Sequence, residues 1–141
     1  AQAKQGADLH TSTLVQLIAY EVARSGFLDQ HIRRLRVAYR ERRDAMLNAM
    51  SRHFPATMSW THPAGGLFLW ARLPEGVDAT AVMKLALAEK VAFVPGSPFY
   101  PDGSGLNTLR LNFTATTPDV IEEGIARLGR VFSRLPSAAA V

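Results

Sequence analysis

Asn107 to Thr114 reads NTLRLNFT, in which Leu109, Leu111 and Phe113 alternate with Arg110, Asn112 and Thr114. A period of two is that of a β-strand with one apolar and one polar face. Such a strand commits the chain to a sheet whose apolar face must be covered. Arg110 cannot shed its charge, so if the second face is covered as well it needs a partner, and the natural partner is an anion.

The other segments supply the cover. Leu28, Ile32, Leu35, Tyr39, Met46 and Met50 fall on one stripe of a long helix, with Arg33, Arg36, Arg40 and Arg43 on a neighbouring, solvated stripe. Asp29 is expected to cap this helix, and Phe54-Pro55 to end it. Arg42 lies at the edge of the apolar stripe, where a packed arginine calls for a carboxylate. A preceding helix runs through Leu14, Leu17, Ile18 and Val22, with Thr11, Ser12 and Thr13 as cap candidates and Gly26 at its left-handed end.

Short strands are predicted at Met58–Trp60 and Leu67–Leu73. Asp78 caps a third helix, Ala79–Lys90, that turns Val82, Leu85 and Ala86 inward. VAFVPG reads as a fully apolar strand of the kind buried on both sides. SPFYPDGSG is a Gly/Pro-rich loop. Thr117 and Pro118 start a last helix whose inner face is Ile121, Ile125, Leu128 and Phe132. PSAAAV reads as a frayed tail. This order predicts an α/β two-layer sandwich, a small mixed or antiparallel sheet covered by helices, with the first helix outside that layer as a connector.

Composition narrows the chemistry. The chain has no cysteine, which removes disulfides, thiolate catalysis and sulfur-ligated metals and fits a cytoplasmic protein. No apolar run approaches the ~20 residues of a membrane span. His10, His31, His53 and His62 are scattered over different elements, so no metal site is expected. There is no G-x-S-x-G elbow, and PDGSG lacks the context of a phosphate loop. Gly65-Gly66, just before a strand, marks either a tight turn or a close approach of backbone to another body such as a ligand. The net charge of +4 raises the possibility of a basic nucleic-acid-binding module using the Arg33–Arg43 helix. The first residues, AQAKQGADLH, contain no initiating Met, so the chain is expected to begin partway through a longer protein.

Five segments in register, KQGADLHTSTLVQ, HIRRLRVAYRERRDAM, PAGGLFLWARLP, VAFVPGSPFY and NTLRLNFT, resemble the C-terminal part of a fold-type I, pyridoxal-phosphate-dependent aminotransferase of class I/II. Within that class they are similar to the 2-aminoadipate and kynurenine aminotransferase branch, from about Lys4 to Leu135. The resemblance implies that Arg110 receives the α-carboxylate of an amino-acid substrate. It also implies that Phe68 and the adjoining Gly66 lie near the substrate, and that Thr11, Ser12 and Thr13 lie near the partner subunit's active site in a homodimer. The family's cofactor, pyridoxal 5′-phosphate, is carried on a lysine upstream of the segment matching Lys4. Lys4, Lys84 and Lys90 do not match that lysine, so no catalytic residue is expected within this chain and the piece alone is expected to be inactive.

The implied division is residues 1–28 as the end of a large domain and 29–141 as the C-terminal small domain. The implied activity is transfer of an amino group between an amino acid and a 2-oxo acid, with the absent large domain as partner and neither a membrane nor a nucleic acid. An effector-sensing, aminotransferase-like domain of a transcription regulator would carry the same motifs.

Overall fold

Every expected element has a counterpart in the computed structural model, which describes residues 2–135. The segment PSAAAV lies outside the described residues. The helices are α1 (Gln2–Ala7), α2 (Thr13–Arg24), α3 (Phe27–His53), α4 (Ala79–Ala88) and α5 (Pro118–Phe132). The strands are β1 (Ser59–Trp60), β2 (Phe68–Arg72), β3 (Val94–Pro95) and β4 (Thr108–Asn112), with a 3₁₀ turn at Ser97–Phe99. The chain divides into two compact units, Ala1–Val37 and Ala38–Val141.

In the first unit neither α1 nor α2 buries a residue. Leu14, Val15, Leu17, Ile18 and Val22 are all more than half exposed. Gly26 takes φ +76°, which only glycine adopts without strain, and breaks the chain between α2 and α3. Helix α3 begins at Phe27, so Asp29 sits in its first turn and is not the cap. From there its carboxylate still complements the positive end of the helix.

The second unit is built on the sheet, ordered β1-β2-β4-β3 and antiparallel throughout. Leu69 faces Leu111 and Ala71 faces Leu109, giving one apolar face. Against that face pack Met46, Ala49 and Met50 of α3, Ala79, Val82 and Ala86 of α4, and Ile121, Ile125, Leu128 and Phe132 of α5. This is the two-layer α/β sandwich with an antiparallel sheet. Each Leu, Ile or Phe fully buried here contributes about 1.5–3 kcal/mol over its exposed state. The Asp78 carboxylate accepts a hydrogen bond from the Thr80 amide (2.8 Å) and caps α4.

Four further expectations change. Leu85 is 53% exposed, because α4 meets the sheet through Ala79, Val82 and Ala86. VAFVPG contributes a two-residue edge strand, with Phe93 buried and Val94 exposed, and is not covered on both sides. Arg42 donates from Nη1 to the Thr114 carbonyl (2.5 Å) and pairs with no carboxylate among the described residues. Arg43 is 18% exposed and leaves the solvated stripe altogether, donating from Nε and Nη2 to Asp44 and from Nη1 to the Pro63 and Ala64 carbonyls.

At the C-terminal end of α3, Glu122 of α5 accepts from His53 Nε2 (2.8 Å) and pairs with Arg52. The His53 hydrogen bond leads the effects that hold the Glu122 carboxyl below the usual carboxylate value, followed, among the lowering effects, by Arg52. The Arg127 hydrogen bond does the same for Glu123. A carboxyl depressed in the folded state stabilises above its unfolded value, and that contribution fades as pH falls through the folded one. The urea midpoint should therefore drop between about pH 5 and pH 3, and drop less in Glu122→Gln. All three side chains are solvated, so the difference is modest, and equal slopes for the two proteins would show that the pairing stabilises nothing.

Candidate functional site

The sheet's second face is not apolar. On it Trp70 stands opposite Arg110, Phe68 opposite Asn112, and Val94 opposite Arg110 from the other side. Arg110 thus projects from the central strand β4, flanked by both neighbours. Its guanidinium carbon lies 4.1 Å from the centroid of the Phe68 ring and 4.8 Å from that of Phe99. A cation over an aromatic face is attracted by the ring quadrupole, by about 0.5–1 kcal/mol for rings as exposed as Phe68 and Phe99. Arg110 Nε is buried and has no hydrogen-bond partner among the described residues, and no ion pair there includes Arg110. A buried N–H without an acceptor is costly, which sets Arg110 apart from the arginines that are paired among the described residues.

The Gly65-Gly66 segment leads into Phe68. Gly66 has φ +90°, and a Cβ on either glycine would meet nothing within 4 Å. These glycines therefore make a turn, and no part of the described chain approaches them closely. Arg43 fixes the turn by donating to the Pro63 (3.2 Å) and Ala64 (2.9 Å) carbonyls. On the other flank, the Ser97–Phe99 turn is anchored by the Gly96 amide donating to the Thr108 carbonyl (2.8 Å) and the Phe99 amide to the Gly96 carbonyl (2.9 Å). Asn112 ends β4, its side-chain oxygen accepting from the Thr114 and Ala115 amides.

Arg110, Phe68 and Gly66 thus belong to one corner of the second unit. Thr11, Ser12 and Thr13 belong to the first unit and are exposed, with Ser12 at the α2 N-cap position but making no side-chain cap bond. Lys4 is exposed and paired with Asp8 (2.5 Å), and Lys84 and Lys90 are exposed. Among the described residues no group of His, Cys, Asp and Glu could hold a metal ion, and no helix is long and apolar enough to cross a membrane. Sequence reasoning misses Phe99 and Trp70. The period-two pattern of β2 and the Ser-Pro-Phe-Tyr turn carry the only signal for them, and neither says which strand is adjacent.

Chemically, the corner is a permanent cation in an aromatic surround, with no acceptor for its Nε among the described residues. A guanidinium offers parallel N–H groups that match a carboxylate at two points.

Comparison with known proteins gives the family. Residues 1–128 match the model of the family described as aminotransferase class I and II. The chain is 46% identical over 134 residues to the 2-aminoadipate transaminase of Thermus thermophilus, covering 95% of this chain and 34% of that protein. It is 46% identical over 126 residues to aromatic-amino-acid aminotransferase 1 of Thermococcus litoralis, covering 89% of this chain and 30% of that one. The crystal structure of the α-aminoadipate aminotransferase of Thermus thermophilus, complexed with N-(5′-phosphopyridoxyl)-L-leucine, superposes with a TM-score of 0.86 at 46% identity, over 94% of this chain and 34% of that one. The chain therefore spans about a third of the length of the relatives it matches. The family match over residues 1–128, together with these identities, places this chain in the class I and II aminotransferases.

Proposed function

We propose that this chain is the small-domain part of a pyridoxal-phosphate-dependent aminotransferase and that Arg110 receives the α-carboxylate shared by its amino-acid and 2-oxo-acid substrates. The observation that carries this is Arg110 itself, held by Phe68 and Phe99 with a buried Nε and no internal acceptor among the described residues. A permanent anion partner within the chain would have argued for a structural salt bridge, and none is present among the described residues.

The residues present fit the substrate end of such a site and not the cofactor end. A lysine that bears a cofactor needs a desolvated or cationic surround to be nucleophilic, whereas the three lysines of the chain are all exposed. In the whole protein, pyridoxal phosphate would be held by upstream residues and would supply the electron sink. The role of this chain is to orient: Arg110 fixes one end of the substrate, and Phe68 and the Gly66 turn wall the space beside it. Orientation of this kind lowers the barrier by removing rotational freedom before the reaction.

In this reading residues 1–28 close the large domain, which covers the apolar surface of α2, and the small domain begins near Asp29. Thr11, Ser12 and Thr13 then lie against the second active site of a homodimer. The 46% identity to named aminotransferases favours an enzyme over an effector sensor.

Two assays test it. The whole protein, with pyridoxal phosphate, should transaminate at least one member of a panel of amino acids against 2-oxoglutarate. No turnover with any of them would overturn the enzyme reading. The 141-residue chain alone should show no turnover above a protein-free control containing the cofactor. Catalysis by the isolated chain would mean that one of Lys4, Lys84 and Lys90 is a working nucleophile, contrary to this assignment.

A further inference from the structure

Phe99 lies outside the strands, on a turn that holds it at Arg110, and several unrelated contacts converge on fixing that turn. Trp70 meets the Phe99 ring edge-on, with centroids 5.6 Å apart and planes at 79°, and also touches Tyr100 at 6.2 Å. Gly96, which begins the turn, has an ordinary φ, so its glycine is not there for backbone freedom. It is there for space. A Cβ at Gly96 would lie 2.8 Å from Trp70 Cζ2 and 2.9 Å from Thr108 Cβ, and closer still to Thr108 Oγ1. Thr108 is fully buried, and its hydroxyl donates to the Gly105 carbonyl (2.7 Å). Gly105, at φ +70°, lies under the ring of Tyr100. The turn is thus packed against Trp70, Thr108 and Gly105 at once, while Phe99 itself remains 49% exposed.

A half-exposed ring so firmly supported contributes little core, yet it sits 4.8 Å from a cation. An arginine with a bare Nε and a long stem has many rotamers from which its fork cannot meet a carboxylate at two points. Rings from two different elements remove most of them before any ligand arrives, and preorganisation of this kind is what makes a clamp selective for a planar anion.

We propose that Phe99 is a positioning residue: together with Phe68 it fixes the plane of the Arg110 guanidinium in the unliganded domain, and the Gly96–Trp70–Thr108 packing sets Phe99 in place. The proposal rests on the reading of Arg110 as the carboxylate receptor for its kinetic consequence, but not for its structural one.

The structural arm needs no activity. In the ¹⁵N-labelled chain, the Arg110 Nε–H signal, identified by its loss in Arg110→Lys, should be displaced by ring currents from those of exposed arginines and exchange slowly. In Phe99→Leu, which keeps bulk but removes the ring, it should move towards the exposed set. An Arg110 signal lying among those of exposed arginines in the parent sequence overturns the proposal, even if Phe99→Leu fails to fold. So does a displaced signal that Phe99→Leu leaves in place.

The kinetic arm uses the whole protein. Phe99→Leu should raise KM for amino-acid and oxo-acid substrates so that kcat/KM falls about five- to thirty-fold, and Phe99→Tyr should recover most of it. A residue that only supported the fold would lower the active fraction and hence kcat, leaving KM unchanged. Unaltered kcat/KM in Phe99→Leu, alongside a large loss in Arg110→Lys, would overturn the positioning role while leaving the carboxylate reading standing. A normal kcat/KM in Arg110→Lys would overturn the carboxylate reading, and the nuclear magnetic resonance shift would still decide the positioning role.

Discussion

Arg110→Lys should lower kcat/KM of the whole protein about ten- to a hundred-fold while moving its melting temperature little. Lysine keeps the charge but offers a point donor on a flexible stem, so the two-point grip on a carboxylate is lost. One charge-assisted hydrogen bond is worth about 1.5–3 kcal/mol, which sets that range. Arg110→Ala should fall further, and equally for amino acid and oxo acid, because both present the same carboxylate. Stability is spared because Arg110 has no acceptor among the described residues to orphan. What is lost is its attraction to Phe68 and Phe99, about 1 kcal/mol for a lysine that still reaches the rings. The opposite pattern, a large drop in melting temperature with unimpaired kcat/KM, would make Arg110 a structural residue and remove the substrate assignment.

Gly129→Ala should be the most destabilising single methyl addition in α5, by about 2–3 kcal/mol, or on the order of 10 °C for a domain of this size. Gly129 is buried where α5 meets the end of α3, and a Cβ there would lie 3.0 Å from the His53 carbonyl carbon and closer to its oxygen. That obstacle is backbone, so no side-chain rotation relieves it. Gly124, five residues earlier on the same helix, is the control, since a Cβ there meets nothing within 4 Å. Gly124→Ala removes a flexible residue from a helix interior and should stabilise by about 0.5–1 kcal/mol. Thermal melts of the two variants should bracket the parent; two shifts of the same sign would mean that the close approach of α5 to His53 does not govern stability.

Much of this is readable from residues alone. The alternation of β4, the inward set of α5 and the Asp78 cap are local signals, and each fixes a face or a boundary without reference to distant chain. VAFVPG reads as interior because its residues are apolar, but whether a strand is central or at an edge depends on pairing order, which composition does not encode. Arg43 reads as solvated because its stripe is basic. Besides the adjacent Asp44, its partners are the Pro63 and Ala64 carbonyls, 20 and 21 residues away on a turn that has no side-chain pattern. Arg110 is legible as a cation on a strand, and its aromatic surround is not, because Phe68 and Phe99 reach it only through the antiparallel register and the turn after β3.

The sheet is also built so that it does not grow. Its five-residue strands β2 and β4 are interior, and each outer strand is only two residues long. One of them ends in Pro95, which has no amide hydrogen to offer a newcomer. A stray extended segment finds at most one or two main-chain bonds at either side, too few to offset its own ordering. Accidental polymerisation through strand addition is thereby disfavoured.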